Sequence, residues 1–317
     1  MMPEPSTTAF LFPGQGSQVV GMGRALAEAY PLAAETFAQA DVLLGFPLSR
    51  LAFEGPEADL NDTYNTQPAL FVHSVAVLRV FNQLYPGFSP AFVAGHSMGE
   101  LSALVAAQAF DFKAGLRLVR RRGELMKQAG EISPGGMAAI LGLDIPTMEN
   151  ICSAASSGAE VVQVANDNCP GQVVISGSRA ALERAVQQAR QAGARRAVTL
   201  AVSIAAHSPL MAIAQNGFNQ AVAETPLVNP AMPVFGNVTA SPLVTADQVR
   251  SDLQAQLNAR VRWTESIQSM IAQGVTTFIE LGSESVLTGL LKRIDRGARG
   301  LAIGAPPEFD KLTAASA

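Results

Sequence analysis

A short apolar strand that runs straight into a helix through a glycine-pinched turn constrains this chain more than any other stretch. Ala91-Phe92-Val93-Ala94 reads as the strand and Gly95-His96-Ser97-Met98-Gly99 as the turn, with Ser97 at its tip in a G-x-S-x-G frame and Glu100 opening the helix. Such a turn holds its central residue in a strained conformation and presents the side chain at the edge of a sheet. Glycine on both sides lets the strand and helix backbones approach closely. The first turn of the helix offers unbonded amides, where negative charge is favoured. A nucleophile in that position can be acylated while the amides hold the developing oxyanion. The ordinary alternative is a glycine–serine connection, because a bare G-x-S-x-G arises often by chance.

A sheet with such an elbow needs a large core. The chain has 317 residues, 48% hydrophobic and 15% charged, enough for one large α/β domain with a smaller unit inserted. A net charge of −4 argues against a nucleic-acid binder working through a basic surface. Met1 to Thr8 lacks the pattern of an export signal, and no apolar run is long enough to span a membrane. Cys152 and Cys169 are therefore expected to be reduced thiols in a cytoplasmic protein. Only three histidines, His73, His96 and His207, are available as acid–base partners.

From the N-terminus, Thr8 to Phe12 is a buried strand, followed by the glycine-rich loop Pro13-Gly14-Gln15-Gly16-Ser17-Gln18. Arg24 to Leu44 is helical in pattern, and Leu51 to Asp62 is a polar connection in which Glu57, Asp59 and Asp62 are solvated. Thr66-Gln67-Pro68 starts an apolar helix, its proline in the first turn, and His73 inside it is expected to be a satisfied core histidine. Asp111 caps the next helix, which runs to about Lys127. At 100° per residue, Phe112, Leu116, Leu118, Val119, Leu125 and Met126 share one side, and Arg117, Arg120, Arg121 and Glu124 the other. Arg122 falls in the apolar sector. An unpaired buried guanidinium costs several kcal/mol, so it needs a partner: a structural carboxylate elsewhere in the chain, or the carboxylate of a ligand held bidentately.

Ser133-Pro134-Gly135-Gly136 marks a boundary. Beyond it come a strand (Met137–Leu141), a helix (Ile145–Ser153), strands at Val161–Ala165 and Gln172–Ser176 around a turn at Asn166–Gly171, a helix (Arg179–Ala192) and a strand (Arg195–Val202). This βαββαβ order predicts a ferredoxin-like subdomain at about 132–203, inserted in a large α/β domain formed by 1–131 and 204–317. Cys169 in its turn reads as a passive thiol. His207 stands in a small-residue loop before a helix at Leu210–Glu224, with no companion at metal-ligand spacing. Met232–Asn237 is a strand, Ala246–Leu257 and Arg262–Ala272 are helices, and Thr276–Leu281 is a strand leading to the helix Val286–Ile294. The tail from Arg296 to Ala317 has small residues, prolines and little periodicity, and its end is expected to be loosely held.

Taken together, these motifs resemble those of the malonyl-CoA:acyl carrier protein transacylases of fatty-acid synthesis and the related acyltransferase domains of polyketide synthases, over about residues 8–295. The resemblance rests on the Phe12–Gln18 loop, Thr66-Gln67-Pro68-Ala69-Leu70, Gly95-His96-Ser97-Met98-Gly99-Glu100, Arg121-Arg122-Gly123, His207, Gln256 seven residues before Trp263, Ile279-Glu280-Leu281-Gly282 and Val286–Leu290. Met98 stands where leucine is commoner. The resemblance implies an α/β-hydrolase-like large domain with a parallel sheet. It further implies Ser97 as nucleophile and His207 as its base, with the amides of Gln15 and Met98 as the oxyanion hole. Arg122 is implied as the binder of the acyl carboxylate and the Gln256 main-chain carbonyl as the support of His207, while Gln67, His96 and Ala206 would line the pocket. Malonyl-CoA would be the substrate and the phosphopantetheine thiol of an acyl carrier protein the acceptor, with no permanently bound cofactor, no metal, no nucleic-acid or membrane partner, and a monomer as the working unit. Because carrier proteins are acidic, Lys292, Arg293, Arg296 and Arg299, or Arg190, Arg195 and Arg196, are candidate docking cations beside the ordinary reading of solvated faces.

A serine thioesterase or esterase shares the elbow but requires an acid between nucleophile and histidine in chain order. Asp247 and Asp252 both follow His207. A non-catalytic scaffold that kept the fold has no use for Ser97, Arg122 and His207 together. A stand-alone acyltransferase can also serve polyketide synthase modules in trans. The loop Ile204-Ala205-Ala206-His207 departs from the patterns that mark malonyl or methylmalonyl preference there, and the small Ala206 leaves room for larger acyl groups.

Overall fold

The computed structural model describes residues 2–202 and 204–313. The chain opens with β1 (Thr8–Phe12), α1 (Arg24–Ala29), α2 (Pro31–Leu44), α3 (Leu48–Glu54), α4 (Glu57–Leu60), α5 (Thr63–Leu84), β2 (Phe92–Gly95), α6 (Gly99–Ala106) and α7 (Phe112–Ile132). Every residue of β1 is buried, as expected for a strand covered on both faces. Four of the expectations change here. The helix predicted over Arg24–Leu44 is two helices, because Tyr30 is extended (φ −129°) before Pro31, which opens α2. The polar connection expected at Leu51–Asp62 is taken up by the end of α3 and by α4, anchored by the fully buried Leu48, Ala52 and Leu60. Glu57 and Asp59 are exposed, but Asp62 caps α5 through the Tyr64 amide (3.1 Å) and pairs with Lys127 (2.6 Å). Helix α5 therefore begins before Thr66, and Pro68 lies inside it. Proline has no N–H for the carbonyl four residues back; Arg120 Nη1 donates to that Tyr64 carbonyl instead (3.0 Å).

The second unit comprises β3 (Gly135–Leu141), α8 (Ile145–Ala155), β4 (Val162–Cys169), β5 (Gln172–Ser178), α9 (Arg179–Gln191) and β6 (Arg196–Thr199). Its antiparallel sheet has the order β4-β5-β3-β6, the ferredoxin-like arrangement, and encloses its own core with α8 and α9. Strand β4 continues through Asn166–Cys169, where a turn was expected, and the chain reverses at Pro170-Gly171. Register shifts at Val164/Asn166 and Asp167/Cys169 make this possible, since bulges absorb residues whose side chains point elsewhere. Ser203, at the expected boundary, lies outside the described residues.

The chain then forms α10 (Ala212–Glu224), the two-residue strands β7 (Val234–Phe235) and β8 (Pro242–Leu243), α11 (Ala246–Gln256), α12 (Trp263–Ala272), β9 (Thr277–Leu281), α13 (Val286–Ile294) and β10 (Arg299–Ile303). The large sheet runs β10-β9-β1-β2-β7-β8, parallel except for the β7–β8 pair. β1 and β2 sit at its centre with Phe12 opposite Gly95, which puts the Ser97 turn beside the Pro13–Gln18 loop. Glu280 at the end of β9 accepts the Leu287 and Thr288 amides (2.9 and 2.8 Å) and so caps α13. In the tail, β10 pairs with β9, and a 3-10 helix at Pro306–Leu312 buries Phe309 and Leu312. Residues 314–317 lie outside the described residues. Among the described residues no helix is long and apolar enough to cross a membrane.

Candidate active site

Close packing of backbone on backbone builds the elbow. A Cβ at Gly95 would stand 2.0 Å from the Gly99 carbonyl carbon, and one at Gly99 would stand 2.2 Å from the Phe12 oxygen. Ser97 adopts φ 52°, in the left-handed region, at a cost of about 1–3 kcal/mol. Asn237, just beyond β7, holds it there. Its Oδ1 accepts the Ser97 amide (2.7 Å) and its Nδ2 donates to the Gly95 carbonyl (2.7 Å). The Ser97 amide is thereby occupied. The amides of Gln15 and Met98 donate no hydrogen bond within the chain among the described residues. Gln15 is exposed, and its side chain donates to Thr63 Oγ1 (3.1 Å). Gln18 Nε2 donates to Asn61 Oδ1 (2.8 Å), so both glutamines fasten the Pro13–Gln18 loop.

His207 reaches Ser97 from the far side of the inserted unit, Nε2 to Oγ 2.8 Å. It too has a left-handed backbone (φ 57°). Its Nδ1 lies 2.9 Å from the Gln256 carbonyl and 3.1 Å from the Ala259 carbonyl. Carbonyls only accept, so Nδ1 carries the proton and Nε2 is the acceptor facing the serine hydroxyl. Among the described residues no carboxylate contacts the ring. Burial, reinforced by Arg122 and His96, lowers His207 to about 3, so the ring is a neutral base.

Arg122 is 1% exposed. Its Nη1 donates to Gln67 Oε1 (2.9 Å), and its Nη2 to Gln256 Oε1 (2.9 Å) and Ser97 Oγ (3.1 Å). Burial lowers it to about 10, and it is still protonated at neutral pH. A structural carboxylate is not its partner: among the described residues no carboxylate pairs with it. Its three partners are neutral. The cation thus ends on the Ser97 hydroxyl with its charge uncompensated by direct contact.

The remaining candidates gather around this centre. Gln67 is fully buried, His96 donates from Nε2 to Asn168 Oδ1 (2.8 Å) with its ring in T-shaped contact with Trp263, and Ala206 packs against the main core. Burial lowers the His96 pKa. His73 matches its expected role in part: Nε2 meets the Gly304 carbonyl (3.0 Å), while Nδ1 has no partner. Residue patterns missed Asn237, the Ala259 carbonyl and two contributions of β4, Asn168 and Gln163. Gln163 Nε2 donates to the carbonyls of both His207 (2.8 Å) and Asn258 (2.9 Å). All are single polar residues or carbonyls in unremarkable local sequence. A surface cavity of about 610 Å³ between α7 and α10 includes none of Ser97, Arg122 and His207; hydrogen-bond geometry locates the site, not cavity size.

Fold and site together are those of an α/β acyltransferase. The chain belongs to the acyl transferase domain family, which matches residues 9–300. It is 44% identical over 305 residues to the malonyl CoA-acyl carrier protein transacylase of Bacillus subtilis, covering 96% of each chain. It is 46% identical over 286 residues to that of Escherichia coli K12, covering 90% of this chain and 92% of the other. Among solved structures it is similar to an acyl carrier protein S-malonyltransferase from Vibrio cholerae (TM-score 0.93, 45% identity, 97% of this chain and 100% of that one). It is equally close in shape to a malonyl-transacylase in complex with its type II polyketide synthase acyl-carrier protein (TM-score 0.93, 42% identity, 97% and 99%).

Proposed function

We propose that the protein transfers a malonyl group from malonyl-CoA to the phosphopantetheine thiol of an acyl carrier protein, through an acyl-enzyme on Ser97. One observation carries this reading: Arg122, buried and cationic, has only neutral partners and touches the nucleophile. An acyl group ending in a carboxylate supplies the missing charge. His207 Nε2 takes the Ser97 proton as Oγ attacks the thioester carbonyl. The amides of Gln15 and Met98 hold the oxyanion. The C–S bond breaks, and the proton passes from His207 to the departing thiolate. Arg122 keeps the malonyl carboxylate in place. The carrier thiol then gives its proton to His207, attacks the ester carbonyl, and Ser97 leaves with the proton. Gln67, His96 and Ala206 line the acyl pocket.

The relatives' names support the donor and the acceptor, and the complex with a polyketide synthase carrier makes such a carrier a second destination. The reaction needs only its two substrates and a cytoplasmic supply of both. We assign residues 1–131 and 204–317 to the large domain and 132–203 to the subdomain. Lys292 and Arg296 are the better candidates for docking an acidic carrier, because Arg293 is engaged with Gln172 and the Pro170 carbonyl. The test is mass spectrometry of the chain after exposure to malonyl-CoA. A malonyl adduct should form on the peptide bearing Ser97, discharge onto added holo carrier protein, and be absent in Ser97→Ala. Release as free malonate faster than transfer would make the protein a hydrolase.

A further inference from the structure

Glu100 opens α6 directly behind the nucleophile, and no step of acyl transfer uses it. Its carboxyl is fully buried. Oε2 accepts Gln256 Nε2 (2.8 Å) and the Asn237 amide (3.2 Å). Oε1 is buried and receives no donor. The carboxyl of Asp252, on α11 and 3% exposed, stands within hydrogen-bonding reach of Glu100. Asp252 is committed as an acceptor, taking the Val238 (3.3 Å) and Thr239 (3.1 Å) amides. A Cβ at Gly236 would lie 2.5 Å from Asp252 Oδ1, so the space beside the Asp252 carboxyl is tightly filled. Two carboxyl groups in contact away from water do not both ionise. Asp252 already accepts two amides, whereas Glu100 Oε1 has no donor. A proton on Glu100 Oε1 turns that unpartnered oxygen into a donor.

Arg122 on α7 lies within Coulombic range of Glu100. An ionised Glu100 would compensate that cation from below. A protonated one leaves it uncompensated and still accepts the Gln256 amide through Oε2. The Gln256 amide is thereby oriented: Nε2 faces Glu100 and the Ser97 carbonyl, and Oε1 faces Arg122. Burial, with Asp252 next, pushes the Glu100 pKa well above the usual carboxylate range, in keeping with this geometry.

We propose that Glu100 is a positioning residue that carries its proton in the working enzyme, hydrogen-bonded to Asp252, and so keeps Arg122 an uncompensated cation selective for acyl groups that end in a carboxylate. The selectivity part rests on Arg122 as the acyl-carboxylate clamp; the protonation does not.

The first test is infrared difference spectroscopy of the full chain in D2O at neutral pH, wild type against Glu100→Gln. A protonated-carboxyl C=O band lost in the variant is expected; no such difference overturns the proposal. The second is steady-state transfer from malonyl-CoA and acetyl-CoA. Glu100→Ala should lower malonyl transfer, and Glu100→Gln, a neutral group that can donate to Asp252 and accept from Gln256 and Asn237, should restore it. Asp252→Asn offers an amide donor to Glu100 and favours its ionisation. The malonyl-over-acetyl preference should then fall about tenfold, through KM more than kcat. If Glu100→Gln fails to fold or loses the malonyl preference, a carboxylate is required and the proposal fails. If Arg122→Ala leaves the preference intact, the clamp reading fails while the infrared result stands.

Discussion

At the scale of single residues, the site combines two buried groups whose pKa values move in opposite directions, each toward its neutral form. His207 is held neutral by burial and by Arg122, down to about 3 from 6.5. The acylation of Ser97, followed by rapid quench, should therefore vary by no more than about twofold between about pH 8 and about pH 5. An acid limb centred near 6.5 would place the histidine in its ordinary range instead. The same shift is a stability statement. The unfolded chain protonates this histidine below 6.5 and the folded chain does not until about 3, so its contribution is complete above 6.5 and is lost as pH falls through that window. Glu100 runs the other way. Its folded pKa is raised from 4.5, so its contribution is complete below 4.5 and is lost as pH rises through the raised value. Denaturant titrations of wild type and Glu100→Gln should accordingly diverge in favour of the variant as pH rises.

At the scale of elements, the elbow is a junction of three backbones: the end of β2, the start of α6 and the loop after β1. His96 N donates to the Phe12 carbonyl (3.0 Å), and Gly99 presses against the same oxygen. Because that neighbour is main chain, Gly99→Ala cannot be absorbed by a rotamer change. It should cost about 1–3 kcal/mol in chemical denaturation, as overpacking does, and displace Ser97 enough to depress acylation. Full activity and stability in this variant would show that the junction tolerates a shift. Helix α7 has a comparable double use. Arg120 satisfies the carbonyl that Pro68 strands in α5, two residues before Arg122 reaches Ser97. The segment that supplies the cation is thus fixed in register against the helix that supplies Gln67.

At the scale of the whole molecule, the inserted unit reaches directly into the site. Through β4 it sends Gln163 to the carbonyls of His207 and Asn258, Asn168 to His96, and Asp167 to Thr264 (2.7 Å). Val261 pairs with this strand through the Ala165 carbonyl and the Asp167 amide. Gln163→Ala should lower kcat about tenfold while changing KM less, because it frees the loops carrying the histidine and its carbonyls, not the acyl pocket. Unchanged kcat would separate the small unit from the chemistry. Local pattern made much of this molecule legible: the β1 run, the elbow, the capped amphipathic α7 with Arg122 on its apolar face, and the βαββαβ order. Period, glycine placement and capping chemistry act within a few residues, so the sequence alone determined those elements and the types of residue on which chemistry could be built. It could not show that Arg122 has only neutral partners, that a second carbonyl supports His207, or that Glu100 meets Asp252. Those facts join residues far apart in the chain, 52 positions for His207 and Ala259 and 134 for Arg122 and Gln256. Burial and hydrogen-bond satisfaction are properties of the assembled space, and only the tertiary structure decided them.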